Sequence, residues 1–192
     1  MLQPDGQPRV NETPDRGAAA IEIRVEDITQ LFNTLDPFPF RDRDLDREAE
    51  EFIVGWAREL PHDEPLRIVI HLPRPEAEGE KAEQLEDALS RYFGYRADMV
   101  GHDLNELFRV GRLSLTIGIA VLAACTGARA ILRHAMGDGG IAGFLNEGLL
   151  ILGWVANWRP VEIFLYDWWP LWRRRNLYRR LAAARVTIAA YE

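Results

Sequence analysis

Lysine and cysteine are almost missing from this 192-residue chain, which holds one of each, Lys81 and Cys125, beside 22 arginines. A lone cysteine excludes an internal disulfide. Its place inside an uncharged run keeps the thiol protonated and inert. The arginine-for-lysine usage, together with heavy alanine use, reads as the codon bias of a GC-rich bacterial genome and carries no mechanism. Histidine is also sparse. His62, His71, His102 and His134 are scattered, with no pair at ligand spacing and no cysteine nearby, so the sequence offers no metal site. No P-loop, G-x-G-x-x-G, G-x-S-x-G or H-E-x-x-H occurs. No catalytic residue, cofactor-binding residue or cofactor can therefore be named, and an enzyme ranks behind other readings. The N-terminus lacks a basic segment followed by an apolar core, which argues against a cleaved signal peptide.

The most telling absence is of charge. Between Arg112 and Arg129 lie sixteen residues, LSLTIGIAVLAACTGA, without one ionisable group except the cysteine. A second apolar run spans Ile141 to Trp158, interrupted only by Glu147. The net charge of −7 hides two unlike halves: residues 1–108 carry −13 and residues 109–192 carry +6. An acidic head joined to an apolar, basic tail is a membrane-protein pattern. A nucleic-acid binder would concentrate arginine on its folded domain, and here that domain is the acidic part.

Residues 1–19, rich in proline, glycine and charge, read as a disordered leader. From residue 20 to 108 the pattern predicts a small β-α-β-α domain and a stalk helix. Ile21, Ile23 and Val25 alternate with Glu22, Arg24 and Glu26, which predicts a strand with one buried face. Asp27 then caps a helix carrying Ile28, Leu31, Phe32 and Leu35, ended by Asp36-Pro37-Phe38-Pro39. A second helix is expected from Asp44 or Asp46 to Leu60, with the stripe Ala49, Phe52, Ile53, Trp56, Ala57 and Leu60. Leu66 to Leu72 is the second strand, parallel to the first across this crossover. From Lys81, apolar residues recur at helical spacing to Leu107; a break at Gly94 would instead make Tyr95–Val100 a third strand. A two-stranded sheet is marginal alone, so helices must cover it or a partner extend it. The sheet edge and the stalk helix are the candidate surfaces for self-association. The acidic run Asp42 to Asp46 resembles the opening of a calcium loop, but Arg47 and Ile53 occupy the positions that need glycine and a bidentate glutamate. Helix-capping acids are the better reading.

Residues 109–158 predict a transmembrane helical hairpin, with spans of about 113–132 and 141–158 joined by a loop ending in Asp138-Gly139-Gly140. The first span reaches bilayer thickness if Arg129 snorkels and Ala130, Ile131 and Leu132 continue it. Small residues at four-residue spacing, Ser114 and Gly118 and then Ala120, Ala124 and Ala128, would let helices approach closely. Glu147 must lie near a membrane face, be paired, or be protonated. With Asn146 it forms a candidate intramembrane polar site, facing Arg129 or Arg133. The heavier arginine count at Arg109, Arg112 and after Arg159 puts both termini in the cytoplasm and the short loop outside, hence a multi-pass inner-membrane protein. Residues 159–192 are read as an interfacial aromatic and basic segment. Trp154, Trp158, Trp168, Trp169 and Trp172 sit at headgroup depth, a helix opening at Pro160 lies in the membrane plane, and Arg173, Arg174 and Arg175 rest on anionic lipid.

The segments DPFPFRDRDLDREAEEFIVGWAREL, RYFGYRADM…LFRVGRLSLTIGIAVLAA and WRPVEIFLYDWWPLWRRRNLYRRLA are similar to a family of uncharacterised bacterial two-span inner-membrane proteins. The resemblance covers roughly residues 20–188. It implies membrane placement and brings no activity, cofactor or binding residue. The expected role is a membrane-anchored interaction or assembly module, partnered by the lipid bilayer, by further copies of itself or by an unidentified protein, and not by nucleic acid. The alternatives are a small transport or channel subunit using Glu147, and a membrane-tethered enzyme.

Overall fold

The computed structural model describes residues 19–61, 64–137 and 139–191. Residues 1–18, most of the expected leader, lie outside this range, as do His62 and Asp138. The fold is mixed: a small parallel three-stranded sheet and a larger helical part. The chain divides into two units. The first comprises residues 1–93 and 180–192, and the second, residues 94–179, is inserted within it.

In the first unit, β1 (Ala19–Arg24), β2 (Leu66–Pro73) and β3 (Arg185–Tyr191) form one sheet in that order, all parallel. The expected pairing of the first two strands is present, with Ile21 opposite Ile68 and Ile23 opposite Ile70. Strand β2 alternates as its sequence demands, hiding Leu66, Ile68, Ile70 and Leu72 while Arg67, Val69 and His71 stay half-exposed. The third strand is not Tyr95–Val100, which is helical; it is Arg185–Tyr191, from the segment expected to lie on the membrane. Its register sets Ile70 opposite Ile188. The chain thus extends its own marginal sheet, with β2 paired on both sides.

Helix α1 (Arg47–Glu59) starts where a cap is available, the Glu48 N–H donating to the Asp46 carboxylate. Of the nearby acids, Asp46 is this cap, Asp36 accepts the Asp44 N–H, and Asp42 pairs with Arg91 at 3.2 Å. Its buried stripe is Ile53, Val54 and Ala57, whereas Phe52 and Trp56, expected inside, point outward and pair with each other at 6.2 Å. The helix expected from Ile28 to Leu35 shrinks to one 3-10 turn, Ile28–Leu31, and Leu35 is fully exposed. The reason is local: Asn33 and Asp36 take backbone N–H groups two residues ahead, a turn geometry that competes with a second helical turn. The Thr29 N–H donating to Asp27 holds that carboxyl below its ordinary 3.8. The Asp44 and Phe38 N–H groups do the same for Asp36.

A single turn, α2 (Arg74–Ala77), leads to α3 (Glu80–Met136), 57 residues long and unbroken at Gly94 and Gly101. Its first part supplies Ala82, Leu85, Ala88, Leu89, Tyr92 and Phe93 to the core of the sheet unit. The returning chain is tied to the same unit by Ser90 Oγ donating to the Ala182 carbonyl and by Arg180 donating to the carbonyls of Pro61 and Glu64.

The second unit is a helical hairpin. After α3, a loop with Gly137 and Gly140 at positive φ (71° and 58°) opens α4 (Ile141–Val155). Next come α5 (Trp158–Glu162), a π-helical turn Ile163–Asp167, and α6 (Trp168–Ala182). The widened turn has an identifiable cause: Pro170 lacks an N–H, and its ring would strike the Tyr166 carbonyl of a regular helix. The Phe164 carbonyl is taken instead by the Trp168 indole N–H at 3.0 Å. Among the described residues one helix, α3, is long and apolar enough to cross a membrane. The second expected span, 141–158, appears as a 15-residue helix ending at Val155.

Candidate functional site: the seam of the helical hairpin

Four glycines mark where the two arms of the hairpin meet. A Cβ on Gly153 would lie 2.8 Å from Leu122 Cδ1, and one on Gly118 would lie 2.6 Å from Asn157 Oδ1. One on Gly111 would lie 2.9 Å from Ile163 Cγ2, and one on Gly101 would lie 3.1 Å from Arg175 Nε. As the number falls along α3 it rises along the returning arm, so the arms are antiparallel. Gly111, Gly118 and Cys125 repeat every seven residues and are all buried, which is the coiled-coil period. The opposite arm presents Ala142, Asn146, Gly153, Pro160 and Ile163. The in-plane helix expected after Pro160 is part of this returning arm. Ile163 is fully buried, and Phe164 stacks on Phe108 at 6.2 Å and 22°. The packing decides this: glycine on α3 leaves a groove that the returning arm fills.

A polar side chain, Asn157, bonds across the seam. Asn157 sits in the turn between α4 and α5. Its amide donates to the Gly153 carbonyl of its own arm at 2.9 Å and to the Gly118 carbonyl of α3 at 3.0 Å. Sequence reasoning missed Asn157. The available signal was an asparagine at the end of an apolar run, a position where a helix turn leaves carbonyls unsatisfied. The small-residue spacing flagged Gly118 but not Gly111 or Gly153. Ala120, Ala124 and Ala128 are exposed, away from the seam.

The expected polar site is divided. Asn146 lies in the seam, 6% exposed, and its Oδ1 has no hydrogen-bond partner. Counting seven residues from Gly153 and Leu122 puts it level with Arg129, which is half-buried and has an unpartnered, buried Nε. Glu147 and Arg133 are exposed, and among the described residues Glu147 has no hydrogen bond or ion pair. Asn146 thus lies in the seam, and Glu147 is a separate, outward-facing carboxylate.

Of the aromatic belt, Trp154 and Trp158 point outward, while Trp168, Trp169 and Trp172 form one ring cluster with centroids 5.4 to 6.5 Å apart. Arg159 pairs with Glu162 and Asp167, both at 3.0 Å. Arg173 and Arg174 are exposed, and Arg175 is half-buried.

In the sheet unit, two adjoining open grooves of about 370 and 500 Å³ lie where β1 and β3 end. Glu22, Arg24, His71 and Tyr191 line the first, and Arg24, Glu26, Gln30 and Tyr191 the second. Ligands of parallel sheets bind at such strand ends. Here the polar groups bind one another. The Arg24 guanidinium lies 4.2 Å over the Tyr191 ring, His71 Nε2 is 3.5 Å from Glu22, and the Tyr191 hydroxyl donates to the Val25 carbonyl. Among the described residues no group of three His, Cys, Asp or Glu could hold a metal. Comparison with known protein families, curated proteins and solved structures finds no match.

Proposed function

We propose that this chain is a bacterial inner-membrane protein. Its hairpin crosses the bilayer twice, and its small α/β unit acts on the cytoplasmic side as an interaction or assembly module. The observation that carries this reading is exposure. Of the most apolar 18-residue window in α3, only 11% is buried. In a water-soluble protein such a helix would be hidden in the core, because exposed apolar surface costs about 25 cal/mol per Å². On α4, Ile141, Phe144, Ile151 and Trp154 also face outward. A seam of glycine and an outer surface of leucine, isoleucine and tryptophan suit lipid as the solvent.

Two further observations support the two-span form. Leu113 to Leu132 rises ~30 Å along α3, the thickness of the hydrocarbon core, with Arg112 and Arg133 at its ends. Helix α4 alone rises only ~22 Å, but the turn at Asn157 and helix α5 carry the returning arm on to Trp158 and Arg159. Strands β2 and β3 are neighbours, so the segment between them begins and ends on one side of any membrane it enters. An even number of crossings satisfies that, and the arginine excess on this side makes it the cytoplasm. To a partner the sheet offers two edges, β1 and β3, with no strand beyond them among the described residues.

The test is extraction and sided labelling. The protein should stay with membranes through alkaline carbonate. In a Cys125→Ala background, Gly139→Cys should react with an impermeant maleimide on intact spheroplasts, and Glu22→Cys only after lysis. Release by carbonate, or the reverse labelling pattern, overturns the reading.

A further inference from the structure

Strand β3 closes one side of the sheet with a bare edge. Its pairing with β2 runs without a slip from Arg67 opposite Arg185 to Pro73 opposite Tyr191, so the strand is regular along its whole length. No strand lies beyond it among the described residues. Alternate N–H and C=O groups of such a strand turn away from the sheet and offer a ladder to another strand. Edges are ordinarily blunted by a lysine, a proline, a bulge or an inward-pointing charge. From Val186 to Tyr191 there is no lysine, no proline and no charged side chain, and Thr187 and Ala190 are exposed. Strand β1, at the other side, carries exposed Glu22 and Arg24, and its Ile21 is fully buried. Burial on the apolar face of the sheet points to the β3 edge as well. Ile68, Ile70 and Leu72 of the central strand are fully buried. Their register partners on β3 are not: Val186 and Ile188 are half-exposed and Ala190 is exposed. The helices therefore leave this side of the apolar layer uncovered.

We propose that a second copy of this chain covers that edge, its β3 laid antiparallel to the first about a two-fold axis through Ile188. The inference rests on the reading of this unit as an interaction module and names its partner. Residues directly opposed in an antiparallel pair lie on one face. A two-fold axis perpendicular to the sheet therefore keeps the helices of both copies on the same side. Ile188 is the midpoint of Arg185–Tyr191, so this register pairs every residue of the strand. Ile188 meets Ile188 of the second copy, Val186 meets Ala190, Thr187 meets Ala189 and Arg185 meets Tyr191. The first two pairings set the half-covered Val186 and Ile188 against apolar partners and close the layer. Val, Thr and Ile are residues that pack well on a pleated surface. Arg185, the one charged residue of the strand, falls opposite a tyrosine and ~20 Å from its counterpart, so no like charges face each other. The strand is complementary to itself, which an unrelated strand would have to match by other means. The joined sheet ends on both sides in β1, the strand that carries charge.

The experiment uses the full chain purified in neutral detergent, with Cys125→Ala as the background for cross-linking. Across the axis, positions 187 and 189 have Cα atoms ~4.5 to 5.5 Å apart, within disulfide reach. Under mild oxidation, copies carrying Thr187→Cys should cross-link to copies carrying Ala189→Cys. Neither variant should cross-link efficiently to itself, because the diagonal Cα separation exceeds ~7 Å. Glu22→Cys, on β1, should stay uncross-linked. Ile188→Lys and Ile188→Glu each oppose two like charges at the axis and should weaken the dimer, measured by sedimentation, about tenfold or more. Mixing these two variants should restore it, which a misfolded chain cannot do, and circular dichroism checks that each is folded. A monomeric wild-type chain overturns the proposal. So does Thr187→Cys cross-linking to itself as fast as the mixture, cross-linking through Glu22→Cys, or a mixture of the charge variants no tighter than either alone. If the monomeric chain still resists alkaline carbonate, the second copy is the wrong partner and the membrane-anchored module stands. Release by carbonate defeats the membrane reading and leaves the cross-linking, then run in plain buffer, still decisive.

Discussion

Replacing Gly118 with alanine tests the seam most directly, because the structure sets an unfavourable contact against a favourable helix propensity. The new Cβ would meet Asn157 Oδ1 at 2.6 Å and the Ala156 carbonyl at 3.0 Å, where ordinary contact begins at 3.4 Å. The Ala156 oxygen belongs to the backbone. The Asn157 side chain could swing aside, but only by releasing its amide from the carbonyls of Gly118 and Gly153. Each such bond between helices in a lipid or detergent environment is worth roughly 0.6 to 1.5 kcal/mol, and residual overpacking adds about 1 to 3. Against this stands the gain of about 1 kcal/mol when glycine gives way to alanine in a helix. The net expectation is a loss of about 1 to 5 kcal/mol. Gly127 is the internal control: it lies on the same helix with nothing within 4 Å of its Cβ position, so Gly127→Ala should stabilise by up to about 1 kcal/mol. The assay is reversible unfolding of the full chain in mixed micelles by dodecyl sulfate, followed by far-ultraviolet circular dichroism. In an Asn157→Ala background the Gly118→Ala penalty should shrink, since one of its two contacts has gone. If both glycine substitutions stabilise equally, the arms do not meet at Gly118 and the seam is wrong.

Other outcomes follow from the same geometry. Deleting residues from Arg185 onward should leave a two-stranded sheet, seen as early proteolysis within residues 20–93 and loss of a cooperative melt for that unit. Ile70→Ala, at a fully buried position of the central strand, should cost about 2 to 5 kcal/mol by urea titration of the same unit. Asp27 and Asp36 have carboxyls held below their ordinary value by backbone N–H donors, so each stabilises the fold fully above pH 3.8 and loses that contribution as pH falls through its lower folded value. The urea midpoint should therefore drop on acidification below about pH 4, and Asp27→Asn should flatten the drop; an unchanged slope refutes the capping role. Glu147→Leu removes an outward carboxylate from α4 and should favour insertion by up to about 3 kcal/mol in a translocon assay. Destabilisation there would mean that Glu147 has a partner.

What the linear chain determined by itself is local. Alternation in β1 and β2, the cap at Asp46, the uncharged run after Arg112 and the glycine loop at 137–140 each follow from interactions between near neighbours. Periodicity and charge therefore sufficed to place them. The tertiary structure decided what depends on pairing distant residues. Arg185–Tyr191 carries β-branched residues suited to a strand, but its partner is β2, more than a hundred residues earlier, and only folding brings β3 beside it. The same holds for the candidate site. Asn146 and Glu147 are adjacent in sequence, yet a helix turns ~100° per residue, so one entered the seam and the other faced outward. Which face of α4 meets α3 was set by the fit of Leu122, Asn157 and Ile163 against glycine. That complementarity belongs to two surfaces together and is written in neither segment alone.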